Sequence, residues 1–208
     1  MNKLHQLFPQ LEEALRQELQ DKGSLMPVAS GTTLLQTGQN IRNTMLVLEG
    51  VIKLYRQDDE GNEFFVYYLE PGDGCALSMV CDRSHQTSVI TAKAVSDALL
   101  LVVPLEYTEI WMREYRTWYN FVINTYRKRF EELLETVDSI AFKNLDERLE
   151  FYLRRHCKTL GTNTLNLTHT EIAQELNSSR EVISRLMKKL SEKGKIRLLK
   201  HGIEVLDV

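Results

Sequence analysis

The sequence predicts an α+β protein in which an antiparallel β-roll of jelly-roll type precedes a long helix and a small basic domain. Three observations favour this architecture. Short β-rich runs separated by glycine turns fill the first half of the chain, residues 105–143 contain neither glycine nor proline, and two helix-capping patterns stand close together near the end. The 208 residues, 43% hydrophobic and 26% charged, can bury a core without disulfide staples.

Charge is divided unevenly along the chain, although the whole protein carries a formal net charge of only −3. Residues 1–145 hold 14 basic and 20 acidic side chains, whereas residues 146–208 hold 12 basic and 9 acidic ones. Within residues 180–200 there are 8 basic and 2 acidic side chains. The near-neutral total argues against a nucleic-acid binder, but the basic tail favours an anionic partner for the C-terminal part.

Cysteine content and hydropathy indicate the compartment. Three cysteines, Cys75, Cys81 and Cys157, fit no disulfide framework. The N-terminus lacks the apolar run of a signal peptide, and the longest apolar stretch, residues 98–104, is far shorter than the roughly 20 residues that span a bilayer. We therefore expect a cytoplasmic protein that does not contact a membrane.

The first elements are an amphipathic helix and a series of short strands. Leucines recur at helical spacing over residues 4–20, which predicts one lead-in helix. The predicted strands are Thr32–Gln36, Thr44–Leu48, Val51–Arg56, Glu63–Leu69, Ser88–Ala94 and Ala98–Val103. Residues 58–62 are typical of a hairpin tip, because Gly61 can adopt positive φ. Strands at this spacing predict an antiparallel sandwich or roll.

The next element is a long helix over about residues 106–143 with two apolar stripes. One stripe has the alternating spacing of four and three residues that is typical of a coiled-coil seam. It consists of Tyr119, Ile123, Tyr126, Phe130, Leu133, Val137 and Ile140. The other consists of Trp111, Tyr115, Trp118 and Val122. A helix that packs only on its own sheet needs one apolar face, so we expect the second stripe to pack on the roll and the seam to join two copies as a homodimer.

A domain boundary is predicted at residues 144–147, which interrupt the helical pattern. Asp146 is a good N-cap for a new helix over residues 147–157. We therefore assign residues 1–143 to the roll with its dimerisation helix and residues 144–208 to a C-terminal domain.

The C-terminal domain shows the pattern of a helix-turn-helix. Thr168 with Glu171, and Ser178 with Glu181, form two capping boxes that predict two short helices separated by about three polar residues. Residues 196–199 and 203–206 predict a β-hairpin wing after the second helix. Together these elements make a winged helix-turn-helix.

The second helix of this motif carries side chains suited to DNA. Arginine pairs bidentately with guanine, glutamate accepts from cytosine, and the N-terminal turns of a recognition helix reach base edges. Lysines at 188, 189, 193 and 195 suit phosphates. The residues predicted to contact DNA are His169, Thr170, Ser179, Arg180, Glu181, Ser184, Arg185 and Lys188. A solvated charged helix face is the alternative, but two capped helices at this spacing favour DNA binding.

Residues 167–196 resemble the winged helix-turn-helix of the cyclic-AMP receptor protein/FNR family of bacterial transcription regulators, and residues 179–185 (SREVISR) carry the most specific match. The glycine-punctuated roll and the long helix also resemble this family, so the resemblance covers nearly the whole chain. It implies a cyclic-nucleotide-binding-like sensor roll, a hinge near residues 144–146 and a homodimer on a palindromic operator. It further implies a half-site containing TGA and RNA polymerase as a protein partner.

The effector pocket implied by the resemblance comprises Gly74, Cys75, Ala76, Leu77, Gln86 and Thr87. Cyclic-AMP binders of this family place a glutamate at the position of Ala76 and an arginine at that of Gln86. A neutral amide cannot neutralise a buried phosphate, so we expect an effector other than a cyclic nucleotide and assign no cofactor. No cysteine precedes Cys75, which excludes the N-terminal four-cysteine iron–sulfur cluster of the oxygen-sensing branch.

Two other interpretations stay open. The protein could be a constitutive DNA-binding regulator with a vestigial roll, or a thiol or haem redox sensor that uses Cys75 and Cys81. An enzyme related to cupin-like oxygenases would need closely spaced metal-binding histidines. The histidines are instead scattered, at His5, His85, His156, His169 and His201. We therefore expect neither an enzyme nor a metal site.

Overall fold

The computed structural model describes residues 2–58, 63–80, 87–142, 144–200 and 202–207. Contacts divide the chain into two compact units. The first comprises residues 1–56 and 66–133, and the second comprises residues 57–65 and 134–208. Within the described residues, no helix combines the length and the apolar composition that a bilayer crossing requires.

The first unit is built on two antiparallel sheets, as the sequence predicts. The strands of these sheets are β1 (Ser24–Val28), β2 (Thr33–Leu35), β3 (Asn43–Glu49), β4 (Ile52–Gln57), β5 (Glu63–Leu69), β6 (Thr91–Ala94) and β7 (Ala98–Pro104). The last residue of β4 and the first three of β5 are assigned to the second unit. Strand order is β1-β7-β3 in one sheet and β2-β6-β4-β5 in the other. A core of buried side chains from both sheets, including Val47, Leu54 and Leu100, fills the roll. The predicted roll is therefore confirmed.

Strand β1 is an element that sequence analysis did not predict. It contains Pro27, which cannot donate a ladder hydrogen bond. The strand pairs only with β7 and lies at the edge of its sheet, where such a residue is tolerated. The strand predicted over residues 88–94 is also shorter than expected: β6 begins at Thr91, and Thr87 forms only an isolated bridge with Asn40.

The predicted single lead-in helix is wrong, because two helices occupy this segment. They are α1 (Asn2–Leu7) and α2 (Glu13–Lys22). Pro9 separates them, since proline lacks a backbone donor and disfavours the helical conformation of the residue before it. The leucine spacing nevertheless identifies the buried face correctly: Leu4, Leu11, Leu15 and Leu19 all lie in the core.

The predicted continuous helix after the roll is likewise divided in two. The short α3 (Ala76–Met79) lies within the roll, and α4 (Leu105–Glu114) and α5 (Arg116–Phe142) follow the last strand. Tyr115 between them has extended backbone, with φ −114° and ψ 107°. This break brings Trp111 of α4 and Trp118 of α5 edge to face, with ring centroids 5.5 Å apart, in the core beneath the β1-β7-β3 sheet.

The two apolar stripes of α5 differ in burial as predicted. Trp118 and Val122 are fully buried in the core of the first unit. In contrast, most of the described seam residues are exposed: Phe130 and Val137 are 61% and 51% exposed in the single chain. Tyr119, Ile123 and Leu133 are exposed as well, Tyr126 is partly buried, and the side chain of Ile140 lies outside the described set.

The described residues of the second unit from 144 onward form three helices and a three-stranded sheet. Its elements are α6 (Leu145–Leu160), β8 (Thr164–Leu165), α7 (His169–Glu175), α8 (Arg180–Glu192), β9 (Ile196–Leu199) and β10 (Gly202–Val205). The sheet order is β8-β10-β9, so the predicted wing pairs with a short strand that precedes the helix-turn-helix. Ile172, Ile183, Leu186 and Leu190 are buried between these elements, as their spacing predicts.

The N-cap of α6 is Asn144 and not the predicted Asp146. The Asn144 side chain accepts from the Glu147 backbone N–H at 3.1 Å, and the Glu147 carboxylate accepts from the Asn144 N–H at 3.1 Å. Asn144 is the N-cap because Glu147 lies three residues after it and completes a capping box. Asp146 is instead in the first helical turn and pairs with Lys189.

This cap gives a stability prediction for the second unit. Asn144→Ala is expected to lower the free energy of unfolding by about 1 kcal/mol, because the Glu147 backbone N–H loses the side-chain oxygen that accepts from it. Asn144→Asp, which retains the acceptor oxygen, is the matched control and should stay close to wild type. Chemical denaturation followed by circular dichroism measures both, and equal stability of the alanine variant would remove Asn144 as the cap.

Candidate functional site

Local hydrogen bonds and backbone conformation define the start of α7 and the turn that follows it. Thr168 and Glu171 form the predicted capping box of α7, with the Glu171 carboxylate accepting from the Thr168 N–H at 2.7 Å. Asn177 in the turn has φ 49°, a left-handed conformation that asparagine tolerates better than most residues. The left-handed conformation of Asn177 turns the chain between α7 and α8.

The predicted second capping box is wrong by one residue. Ser179, not Ser178, is the N-cap of α8, and its hydroxyl accepts from the Val182 N–H at 3.3 Å. Glu181 is therefore at the second helical position, too early to complete a reciprocal box. Hydrogen bonds from its own backbone N–H and with Ser179 lower the pKa of its carboxyl group, so Glu181 is an exposed anion at the helix start.

One exposed face of α8 collects three of the predicted DNA-contacting residues. Glu181, Arg185 and Lys188 are spaced four and three residues apart, which places them on the same side of the helix. Arg180 is exposed in the first turn, and Thr170 is exposed on α7. The opposite face, with Ile183, Leu186, Met187 and Leu190, is buried. Helix α8 therefore presents two arginines, a glutamate and a lysine to solvent, while its opposite face packs in the core of the second unit.

His169 and Ser184 bind each other across the motif. The Nδ1 atom of His169 lies 2.9 Å from the Ser184 hydroxyl, and both side chains are partly buried. Burial, and then the charge of Arg180, lowers the pKa of His169, so the imidazole is neutral at pH 7. This pair ties α7 to α8, and Ser184 is consequently less available to a ligand than Arg185.

Two of the lysines assigned to phosphates are engaged within the protein. Lys189 pairs with Asp146, and Lys195 Nζ lies 2.7 Å from Glu150 Oε2. Both carboxylates are on α6, so these lysines hold α8 and the wing to that helix. Lys188 makes only a long 3.9 Å contact with Glu192, and Lys193 is exposed. Lys188 and Lys193 therefore remain the better candidates for phosphate contacts.

The predicted effector pocket falls partly within the described residues. The Cys75 N–H donates to the Met45 carbonyl at 3.1 Å, and α3 begins at Ala76. Ala76 is only 3% exposed, Leu77 is partly buried and Thr87 is exposed, whereas Gln86 lies outside the described residues. The buried side chain at position 76 is thus a methyl group, which offers no acceptor to a ribose hydroxyl.

The space beside Gly74 is filled by protein side chains. A Cβ atom at position 74 would overlap the end of Met79, and would lie 2.9 Å from Leu46 Cδ2. Met79 and Ser78 are also buried, and the Ser78 hydroxyl lies 2.7 Å from that of Thr44. Helix α3 therefore packs against the interior of the roll through the buried side chains of Ala76, Ser78 and Met79.

Cys75, one of the two candidate redox residues, is 1% exposed and packs among apolar side chains. Reactive thiols are usually partly exposed, so this burial weighs toward a packing role. Cys81 lies outside the described residues. Within the described part of the chain, no three side chains of the metal-binding types His, Cys, Asp and Glu come together.

A buried charge cluster in the first unit was not foreseen from the sequence. Arg129 of α5 binds Asp73 at 2.7 Å and Glu132 at 2.8 Å, and its guanidinium lies 4.4 Å from the centroid of the Tyr67 ring. Lys128 adds a second cation 2.9 Å from Asp73. Asp73 and Arg129 are 56 residues apart, so no local spacing connects them.

Comparisons with known proteins match both halves of the chain. Residues 25–115 match the cyclic nucleotide-binding domain family, and residues 147–208 match the Crp-like helix-turn-helix domain family. A transcriptional regulator of the Crp/Fnr family from Eubacterium rectale has a solved structure that is 29% identical. It covers 97% of this chain and 93% of its own, with a TM-score of 0.81.

Curated relatives agree with this match. The Global nitrogen regulator of Synechococcus elongatus is 23% identical over 184 residues, which cover 85% of this chain and 83% of that protein. The Cyclic AMP receptor protein of Thermus thermophilus is 27% identical over 161 residues, which cover 77% and 73% respectively. The names of these relatives describe a regulator and a receptor protein rather than an enzyme.

Proposed function

Because the chain belongs to the Crp/Fnr family of DNA-binding transcription regulators, we propose that it binds a palindromic operator as a homodimer, gated by an effector other than cyclic AMP. In this proposal, residues 1–143 form the sensor with its dimerisation helix, and residues 144–208 form the DNA-binding domain. The observation that carries it is the exposed face of α8, where Glu181, Arg185 and Lys188 project from a capped helix.

The roles on DNA follow from side-chain chemistry. Arg180 and Arg185 each offer a fork of donors that matches the O6 and N7 atoms of guanine, and Glu181 can accept from cytosine N4. Lys188 and Lys193 contact phosphates, which contribute affinity without sequence information. A half-site containing TGA, with a guanine on one strand and a cytosine opposite it, is consistent with this set of side chains.

The homodimer is supported by the exposed seam of α5. Phe130, Leu133 and Val137 are large apolar side chains left open to solvent on one helix, at the spacing of a two-stranded coiled coil. Pairing two copies of α5 would bury them. Operators with twofold symmetry require this arrangement, since each protomer reads one half-site.

Selection of binding sites from random duplex DNA tests the DNA-binding proposal. We expect a palindromic consensus whose half-site centres lie about one helical turn apart. Affinity for the selected site should fall steeply with salt, because lysine and arginine contacts release counterions from DNA. Enrichment of no sequence above the starting pool would contradict the proposal.

The effector proposal rests on the interior of the roll. Where cyclic-AMP binders of this family carry a glutamate, this chain has the buried Ala76, and Met79 packs against Gly74. The same observations favour a second candidate function, a constitutive regulator with a vestigial roll. A compound that binds and stabilises the folded protein would favour the effector-gated regulator, and the constitutive regulator needs no such compound.

Cyclic AMP at about 1 mM is expected to leave the melting temperature unchanged, because a ligand stabilises a protein only to the extent that it binds the folded state. A parallel panel of other nucleotides, haem and oxidants searches for the effector. A rise of more than about 2 °C with cyclic AMP would contradict this prediction. No shift with any compound, together with full operator binding by the untreated protein, would favour the constitutive candidate.

A further inference from the structure

The charge cluster around Arg129 fixes the position of α5 against one turn of the roll. The Arg129 side chain is only 7% exposed, yet it carries a charge that needs partners when buried. Although burial acts to lower it, the carboxylates of Asp73 and Glu132 raise the pKa of Arg129 above its ordinary value. Loss of either carboxylate would leave a buried cation incompletely paired. Pairing with both carboxylates therefore favours the arrangement in which Arg129 of α5 lies against the turn that carries Asp73.

One end of this cluster lies next to the predicted effector region. Asp73 directly precedes Gly74, and its backbone is fixed on both sides. Its N–H donates to the Glu70 carbonyl at 2.9 Å, and its carbonyl accepts from the Val47 N–H at 2.9 Å. The chain then continues through Cys75, bonded to β3, into α3. A shift of α3 would therefore also displace Asp73.

The other end lies beside the exposed seam of α5. Arg129 is followed directly by Phe130, and Glu132 is followed directly by Leu133. The two charged residues face the roll, whereas their apolar neighbours are exposed. Because a helical turn moves as one body, displacement of the Arg129 side chain would rotate or shift the seam residues with it.

We propose that Arg129, held by Asp73 and Glu132, is a positioning residue that couples the turn before α3 to the dimer seam of α5. This inference rests on the proposed homodimer. The coupling runs through a charge cluster in which Asp73 and Arg129 lie 56 residues apart in the sequence. Arg129 does not need to contact the effector directly.

The dimer dissociation constant, measured by sedimentation on the full chain without added ligand, tests the coupling. Asp73→Asn and Arg129→Gln should each weaken dimerisation by about tenfold, within the usual range for coupled sites. Arg129→Lys, which keeps the charge but loses the two-sided fork, should fall between Arg129→Gln and wild type. Lys128→Gln removes the exposed partner of Asp73 and is the matched control, expected to stay within about twofold of wild type.

Amide hydrogen exchange of residues 74–79 provides a second readout that a purely structural role would not change. In the wild-type protein, exchange in this segment should slow when the concentration is raised through the dimer dissociation constant, because coupling is reciprocal. In Asp73→Asn the segment should exchange at a rate independent of concentration, even where circular dichroism shows the variant to be folded.

The outcomes separate this inference from the proposed function. A wild-type protein that is monomeric at all accessible concentrations would overturn the proposed homodimer. A wild-type dimer whose dissociation constant is matched by folded Asp73→Asn, with concentration-independent exchange in both, would overturn the coupling and leave the homodimer intact. A melting temperature lowered in the variants without a change in dimerisation would also contradict the coupling.

Discussion

Phe130→Glu is expected to convert the homodimer into a monomer and to abolish operator binding at concentrations where the wild-type protein binds. The Phe130 side chain is 61% exposed in the single chain, so a dimer seam would bury two of them. Losing two buried phenylalanines costs about 3–6 kcal/mol, which corresponds to a roughly 10²- to 10⁴-fold weaker dimer. Two glutamates facing each other would add repulsion.

Sedimentation velocity over a concentration series measures this effect. Because Phe130 is exposed in one chain, the variant should fold as wild type does by circular dichroism. Asn124→Glu is the matched control, since it introduces the same charge at an exposed position of α5 away from the seam. If Phe130→Glu dimerises as tightly as Asn124→Glu, the seam is not the interface.

Arg180→Ala and Lys188→Ala are expected to weaken DNA binding in different ways. Arg180→Ala should cost roughly 1–3 kcal/mol on the cognate site and relax the preference for one base pair, because arginine reads base edges. Lys188→Ala should weaken all sequences about equally and reduce the salt slope by about 1. Fluorescence anisotropy with the selected site and a scrambled duplex, at several salt concentrations, separates the two effects.

Lys189→Ala is the matched control for Lys188→Ala. The two lysines are neighbours on α8, but Lys189 pairs with Asp146 of α6. Its removal should leave the salt slope unchanged, although stability can fall slightly. Equal specificity of Arg180→Ala and wild type would remove Arg180 from the reading face, and equal salt slopes for Lys188→Ala and wild type would remove Lys188 from the phosphate contacts.

Patterns with a local cause could be predicted from the sequence. Side-chain periodicity identified the buried faces of α5 and α8, and the spacing of Thr168 and Glu171 identified the start of α7. The glycine-punctuated runs identified six of the seven strands in the roll. These features depend on neighbours within one or two turns, which a single sequence displays directly.

Features that depend on distant partners could not be predicted in the same way. The break at Tyr115 contains no glycine or proline, and it places two tryptophans from successive helices edge to face. The basic composition of residues 180–200 predicts phosphate contacts for Lys189 and Lys195, but both lysines pair with carboxylates of α6. Asp73 and Arg129 meet only because the roll brings one turn against α5.

We propose that one homodimer of this protein reads one palindromic operator. The decisive measurement is the number of protomers bound per selected operator duplex, determined by sedimentation equilibrium. We predict two protomers per duplex, and weaker binding when the half-sites are moved apart by about 5 base pairs, which turns one of them to the opposite side of the helix. One protomer per duplex, or affinity that does not depend on half-site spacing, would contradict the claim.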